Sequence, residues 1–125
     1  MESIPEFFAS KNILITGGTG FIGKVLIEKL LRCCPKVDKI YVVVRSKRSE
    51  SVKERERKFV HSKIFDHLRG DENVLSKIIF LAGDIQQAQL GLSVEDIDQL
   101  IGSVDIVFHC AATVKFDEPL KYVSI

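Results

Sequence analysis

Thr16-Gly17-Gly18-Thr19-Gly20-Phe21-Ile22-Gly23 is a glycine-rich run that points to the fold of this chain. Gly18, Gly20 and Gly23 satisfy G-x-G-x-x-G, and Gly17, Gly20 and Gly23 satisfy G-x-x-G-x-x-G. Glycine is needed there for three separate reasons. One allows a tight turn out of a strand, one lets the backbone approach a pyrophosphate without a Cβ in the way, and one lets a helix pack closely on the sheet. The helix start then offers free N–H groups and partial positive charge to phosphates. A bare glycine pattern is weak evidence, so its flanks matter. Before it runs Asn12-Ile-Leu-Ile-Thr16, continuous rather than alternating, as in a strand buried on both faces. After it, Phe21 to Arg32 carries apolar residues at Ile22, Val25, Leu26, Leu30 and Leu31, with Lys24, Glu28 and Arg32 on the other side. No Gly-Lys-Ser/Thr follows, which excludes a Walker A loop.

On either side of this run, short apolar runs alternate with helical stretches, the mark of βαβ units and a parallel sheet. Pro35 marks the end of the first long helix. Lys39 to Val44 is a second, β-branched strand. Ser46 to Arg69 is charged and mostly helical in pattern, with Phe59, Ile64, Phe65 and Leu68 as buried contacts and Gly70 as its end. Ile78 to Leu81 is a third strand, closed by Ala82-Gly83-Asp84. Ser93-Val-Glu-Asp96 has the form of a capping box opening a helix that Gly102 stops. Val104 to His109 is a fourth strand, and Asp117-Glu-Pro119 starts a further helix. The expected fold is α/β: a Rossmann-type doubly wound parallel sheet of strand order 3-2-1-4. Residues 1–125 would form one NADP-binding domain cut at its carboxyl end, with the fourth strand left as an apolar edge.

Composition narrows the function. Hydrophobic residues at 46% and charged residues at 28% are ordinary for a globular chain. A net charge of +1 argues against a nucleic-acid partner. No apolar run approaches the roughly 20 residues of a membrane span, so no membrane contact is expected in this segment. Glu2 and Glu6 spoil any secretory signal. Cys33, Cys34 and Cys110 are odd in number and form no C-x-x-C pair, which suits reduced thiols inside the cell. No metal site is expected, since His61 and His67, six apart, do not stack on one helix face.

The end of the second strand bears on the cofactor. A site preferring NAD usually places Asp or Glu there, bonded to the ribose 2′-hydroxyl. This chain has Arg45, with Lys47 and Arg48 close by. A carboxylate would repel a 2′-phosphate, whereas a guanidinium grips it with two hydrogen bonds. NADP(H) is therefore expected over NAD(H), while Lys53, Arg55 and Arg57 belong to a solvated helix of mixed charge.

With these motifs placed, the chain resembles the extended short-chain dehydrogenase/reductase superfamily. Within it, the chain is most similar to the fatty acyl-CoA reductase family, including male-sterility-type proteins. Four pieces carry that resemblance: Ile4-Pro-Glu-Phe7, Ile40-Tyr-Val-Val-Val-Arg45, Gly83-Asp84-Ile85 and His109-Cys-Ala-Ala-Thr-Val-Lys-Phe-Asp-Glu-Pro-Leu120. The resemblance implies that Asp84 and Ile85 sit against the adenine and that Ala111 and Ala112 line the cofactor cleft. It also makes Thr113 and Lys115 candidates for contact with cofactor or substrate. Thr16, Gly17, Gly18, Thr19, Gly20, Phe21, Ile22, Gly23, Arg45 and Arg48 complete the expected cofactor site. His109 is expected to be a packed or backbone-bonded strand-end histidine, and Cys110 a small buried hydrophobe.

The activity implied by the resemblance is NADPH-dependent reduction of a long-chain fatty acyl-CoA to the fatty alcohol. It also implies action at the cytosolic face of peroxisomal or endoplasmic-reticulum membranes. Catalysis in the superfamily uses a Tyr-x-x-x-Lys pair on a later helix. Tyr41 and Tyr122 do not fit that pattern, so no catalytic residue is assigned and this segment alone is expected to be inactive. Two other readings stand beside this one: another extended short-chain reductase or epimerase, and a non-catalytic NADP(H)-binding module.

Overall fold

The computed structural model describes residues 3–17, 20–45, 51–84 and 87–110. Four strands, β1 (Asn12–Thr16), β2 (Lys39–Val44), β3 (Ile78–Ala82) and β4 (Ile106–His109), form one parallel sheet in the order β3-β2-β1-β4. This is the order expected from the sequence. β1 lies at the centre, paired with β2 and with β4, and its Ile13 and Ile15 are fully buried.

The period-2 alternation of side chains divides the core in two. Ile13, Ile15, Ile40, Val42 and Val44 face one side of the sheet. There they meet α2 (Phe21–Cys33), α3 (Val52–Val60) and a 3-10 helix (Lys63–Leu68), which contribute Ile27, Leu30, Leu31, Phe59 and Phe65. Leu14, Tyr41, Val43 and Leu81 face the other side, where α5 (Val94–Ser103) places Leu100. Helices on both faces explain why β1 and β2 read as unbroken apolar runs.

Several local expectations are corrected. In α2 the buried positions are Gly23, Ile27, Glu28, Leu30 and Leu31, whereas Ile22 is 52% and Val25 39% exposed. The helix is thus rotated from its simple apolar face. Among the buried positions Glu28 accepts from Arg32 Nε at 2.7 Å and lies 3.0 Å from His67 Nε2 of the 3-10 helix. The segment after β2 is not one helix: Ser51 caps α3 through the Glu54 N–H, and the 3-10 helix follows it. Phe59 and Phe65 are buried and stacked on one another, with Ile64 and Leu68 packed beside them. Val104 closes α5 rather than opening β4. The Ser93 hydroxyl accepts from the Asp96 N–H at 3.1 Å, as a helix cap should.

Three elements were not anticipated. A short α1 (Ile4–Phe8) starts with a reciprocal capping box between Ser3 and Glu6, and Phe8 reaches Phe108 of β4 at 6.2 Å between ring centroids. A single helical turn, α4 (Glu72–Leu75), precedes β3. Between β3 and α5, Ala88–Gly91 makes a turn in which Gln89, Leu90 and Gly91 all have positive φ, 52°, 59° and 60°. The helix expected from Asp117 lies outside the described residues.

Candidate functional site at the carboxyl edge of the sheet

All four strands run parallel, so their carboxyl ends share one edge. Ligand crevices of open α/β sheets lie there, where the strand order reverses. In this chain the reversal falls between β1, whose chain continues towards β2, and β4 on its other side.

Thr16, 2% exposed, ends β1. Gly17 follows with φ 72°, a conformation that L side chains rarely adopt, so glycine is required for the turn. The Gly20 N–H donates to the Gly17 carbonyl at 3.2 Å and closes it. Gly20 then caps α2 with no side chain on its N–H groups. The first N–H groups of any helix lack partners within the helix, and here they belong to Phe21, Ile22 and Gly23. Gly20 itself has φ −77° and ψ 175°, which any residue adopts. A Cβ on it would meet only Gly17 O at an ordinary 3.5 Å. Neither conformation nor packing demands glycine at position 20, yet its absence of a side chain leaves the helix start bare. Gly23 is buried one turn into α2, consistent with close helix–sheet approach. Phe21 is 80% exposed.

A second depression of about 270 Å³ lies across the ends of β2 and β3, lined by Val44, Arg45, Val52, Ala82, Gly83, Asp84, Gln87 and Gly91. Arg45 Nη1 stands 3.7 Å from Asp84 Oδ2. The Asp84 main chain is fixed, its N–H donating to Leu90 O at 2.7 Å and its carbonyl accepting from Gln87 N at 3.0 Å. Gly83 has no room for a side chain, since a Cβ would lie 2.5 Å from Leu90 O and 2.8 Å from Leu92 Cδ2. Arg55 of α3 donates through Nη1 to the Arg45 carbonyl. The sequence marked Arg55 as merely solvated. It is half-buried beside Arg45 instead, and only its position in the first turn of a helix capped by Ser51 could have signalled this.

At the end of β4, His109 is hydrogen-bonded through Nδ1 to the Thr16 hydroxyl, and the Cys110 N–H donates to Thr16 O at 2.8 Å. His109 is thus a bonded strand-end residue. Burial pushes the Cys110 thiol above its usual range, so it stays protonated at neutral pH and is a poor nucleophile. Of the expected site residues, Thr16, Gly17, Gly20, Phe21, Ile22, Gly23, Arg45 and Asp84 come together on this edge. Gly18, Thr19, Arg48, Ile85, Ala111, Ala112, Thr113 and Lys115 lie outside the described residues, as does Lys47. Among the described residues no group of three or more His, Cys, Asp or Glu could hold a metal, and no helix is long and apolar enough to cross a membrane.

Residues 15–124 match the NAD-binding family described as Male sterility protein. The chain is similar to fatty acyl-CoA reductase 1 of Homo sapiens, 51% identical over 123 residues, and of Xenopus laevis, 50% identical over 122 residues. In both cases the match covers 97% of this chain and 24% of the relative. Among solved structures, the terminal R domain of the myxalamid PKS-NRPS biosynthetic pathway superposes with a TM-score of 0.67 at 35% identity. That match covers 92% of this chain and 28% of the other. The chain spans about a quarter of the length of the curated relatives it matches.

Proposed function

The chain belongs to the male sterility protein family, whose domains bind a nicotinamide dinucleotide, and from that premise we propose that it is the NADP(H)-binding segment of a fatty acyl-CoA reductase. The reaction proposed is reduction of a long-chain acyl-CoA to the fatty alcohol by way of the aldehyde. Its relatives named as fatty acyl-CoA reductases support the substrate class. When bound, the reduced cofactor would supply hydride to the acyl carbonyl carbon, with a proton taken up and the CoA thiol released in the first reduction.

The observation that carries the proposal is the bare start of α2. Gly17 turns the chain, Gly20 adds no side chain, and the N–H groups of Phe21 and Ile22 are left for an anion. Gly18 and Thr19 belong to the same loop and would share the pyrophosphate. Arg45, with Arg48, would take the 2′-phosphate, since β2 ends on a guanidinium where an NAD site has a carboxylate. Asp84 and Ile85 would border the adenine. Ala111, Ala112, Thr113 and Lys115, following β4, would line the far side of the cleft. This chain's own share of the chemistry is therefore binding and orientation. Its three thiols, all free, suit a reducing compartment such as the cytosolic face of a peroxisomal or endoplasmic-reticulum membrane.

The test is nucleotide binding by the intact protein and two variants. Gly20→Ala should fold normally, because its Cβ has room, and yet bind both NADPH and NADH more weakly. Arg45→Ala should lose NADPH affinity by about tenfold or more, the worth of a hydrogen bond to a charged group, with NADH little changed. An Arg45→Ala protein with wild-type preference for NADPH would sink the NADP(H) assignment. Failure of the intact protein to reduce acyl-CoA would sink the substrate.

A further inference from the structure

The depression at the ends of β2 and β3 holds about 270 Å³, less than the roughly 300–1,000 Å³ of a pocket that encloses a whole ligand, so it suits one moiety of a dinucleotide. Val44, Val52, Ala82 and Gly83 give it apolar walls, and its polar side chains are those of Arg45, Asp84 and Gln87. The main chain around it is already bonded. The N–H groups of Gly83, Asp84, Gln87, Leu90 and Leu92 donate to the carbonyls of Val44, Leu90, Asp84, Gln87 and Gln89. Reading the edge of a bound base therefore falls to side chains. Arg45 and Asp84 face each other at 3.7 Å. The Gln87 amide lies instead against Gly91, where a Cβ would stand 2.8 Å from Gln87 Oε1. Gly91, with φ 60°, thus leaves room for that amide at the wall of the depression. The root of the Gln87 side chain is fixed as well, since its N–H is held by Asp84 O at 3.0 Å and its carbonyl by Leu90 N at 3.1 Å.

We infer that Gln87 is a specificity-determining residue of the nucleotide site: its amide carbonyl accepts from the 6-amino group of the base and so selects a 6-aminopurine. This rests on the reading that puts the adenine beside Asp84 and Ile85, and adds to it the residue that reads the base. Apolar walls hold any flat ring and cannot tell one base from another. A hydrogen bond to the ring's edge can. Adenine presents an amino donor beside a ring-nitrogen acceptor, and a primary amide carries one acceptor and two donors on a single plane, the complement of that edge. The acceptor is the part that matters for selection, because only a purine with a 6-amino group can satisfy it. Gln87 is exposed, so water replaces the bond where that group is missing, and the selection is modest rather than absolute.

Displacement of NADPH from the intact protein by 5′-AMP and by purine riboside 5′-monophosphate isolates the effect, since the two differ only in the 6-amino group. Wild type should bind 5′-AMP about fivefold more tightly, the worth of one hydrogen bond between neutral groups. Gln87→Leu, which keeps the bulk and removes the acceptor, should bring the two nucleotides level. Gln87→Glu keeps an acceptor and should retain the preference for 5′-AMP. A preference undiminished in Gln87→Leu would mean that another group reads the amino edge, and would overturn the inference. Equal weakening of both nucleotides, with their ratio unchanged, would make Gln87 a prop of the turn and overturn it too. So would a wild type that holds the two nucleotides equally. A fold check by near-ultraviolet circular dichroism accompanies each variant, and Gln87→Met carries the same test if Gln87→Leu fails it. Should wild type bind NADPH while neither monophosphate displaces it, the placing of the adenine in this depression itself falls, an outcome distinct from the others.

Discussion

Thr16 and His109 are register partners at the last positions of β1 and β4, and their side chains are hydrogen-bonded to each other, Oγ1 to Nδ1. The Thr16 carbonyl also accepts from the Cys110 N–H. One residue, immediately before the glycine turn, thus holds the edge strand by both side chain and main chain. The bond fixes the floor of the site on the side where the strand order reverses.

Removing that hydroxyl has a defined cost. Thr16→Val keeps the shape and the β-branch but loses the bond, and should lower stability by about 1 kcal/mol. Thr16→Ser should retain most of it. Urea unfolding of the three proteins measures this, and a Val variant as stable as wild type would show that the bond contributes nothing.

Two glycines should respond oppositely to the same change. Gly83→Ala drives a Cβ into Leu90 O, Leu92 Cδ2 and Val43 Cγ1, at 2.5, 2.8 and 3.0 Å. Overpacking of this kind costs about 1–3 kcal/mol. Gly102→Ala lies within α5 with nothing inside 4 Å. It should stabilise by about 0.5–1 kcal/mol, since alanine loses less backbone freedom in a helix. Thermal melts of both variants decide the point, and a neutral Gly83→Ala would mean that the 88–92 turn is not packed on β3.

Stability should depend on pH through Glu28. The Arg32 hydrogen bond, outweighing burial, holds its carboxyl below the ordinary value of 4.5, with Arg32 charge and His67 adding to it. A carboxyl with a depressed folded-state value stabilises the fold above its unfolded value and loses that contribution as pH falls through the folded one. Wild type should therefore weaken as pH drops from about 5 to below 4.5, whereas Glu28→Gln should show a flatter profile over that window. Identical slopes for the two proteins would remove Glu28 from the account.

The thiols should differ in reactivity. Cys33 is half-buried, whereas Cys34 and Cys110 are buried and burial pushes both thiols up from their usual range. Alkylation at pH 8 followed by mass spectrometry should modify Cys33 first, with Cys34 and Cys110 following only on unfolding. Labelling of Cys110 as fast as Cys33 would contradict its burial.

Much of the architecture was legible because it rests on local chemistry. Continuous β-branched runs have the pattern of strands buried on both faces, and Gly17 to Gly23 between such a strand and an amphipathic helix has that of a dinucleotide-binding turn. The dinucleotide-binding pattern then points to the strand order β3-β2-β1-β4, and a parallel sheet brings Thr16, Gly17, Gly20 and Arg45 to one edge. The Ser3 to Glu6 capping box has the same Ser-x-x-acid spacing as Ser93 to Asp96, although the helix it starts has only five residues. Other features depended on tertiary contact. His67 meets Glu28 from 39 residues away, a contact that no periodicity within the helix encodes. The left-handed turn at Gln89 and Leu90 is disfavoured for both residues, and it is held by the Asp84 N–H on the Leu90 carbonyl together with the Leu90 N–H on Gln87 O and the Leu92 N–H on Gln89 O. The Arg45–Asp84 pair likewise exists because β2 and β3 end side by side. Local propensity and pattern determined which elements form and how they connect. Which polar side chains meet was decided by packing, because those partners are distant in sequence and only the folded sheet brings them within reach.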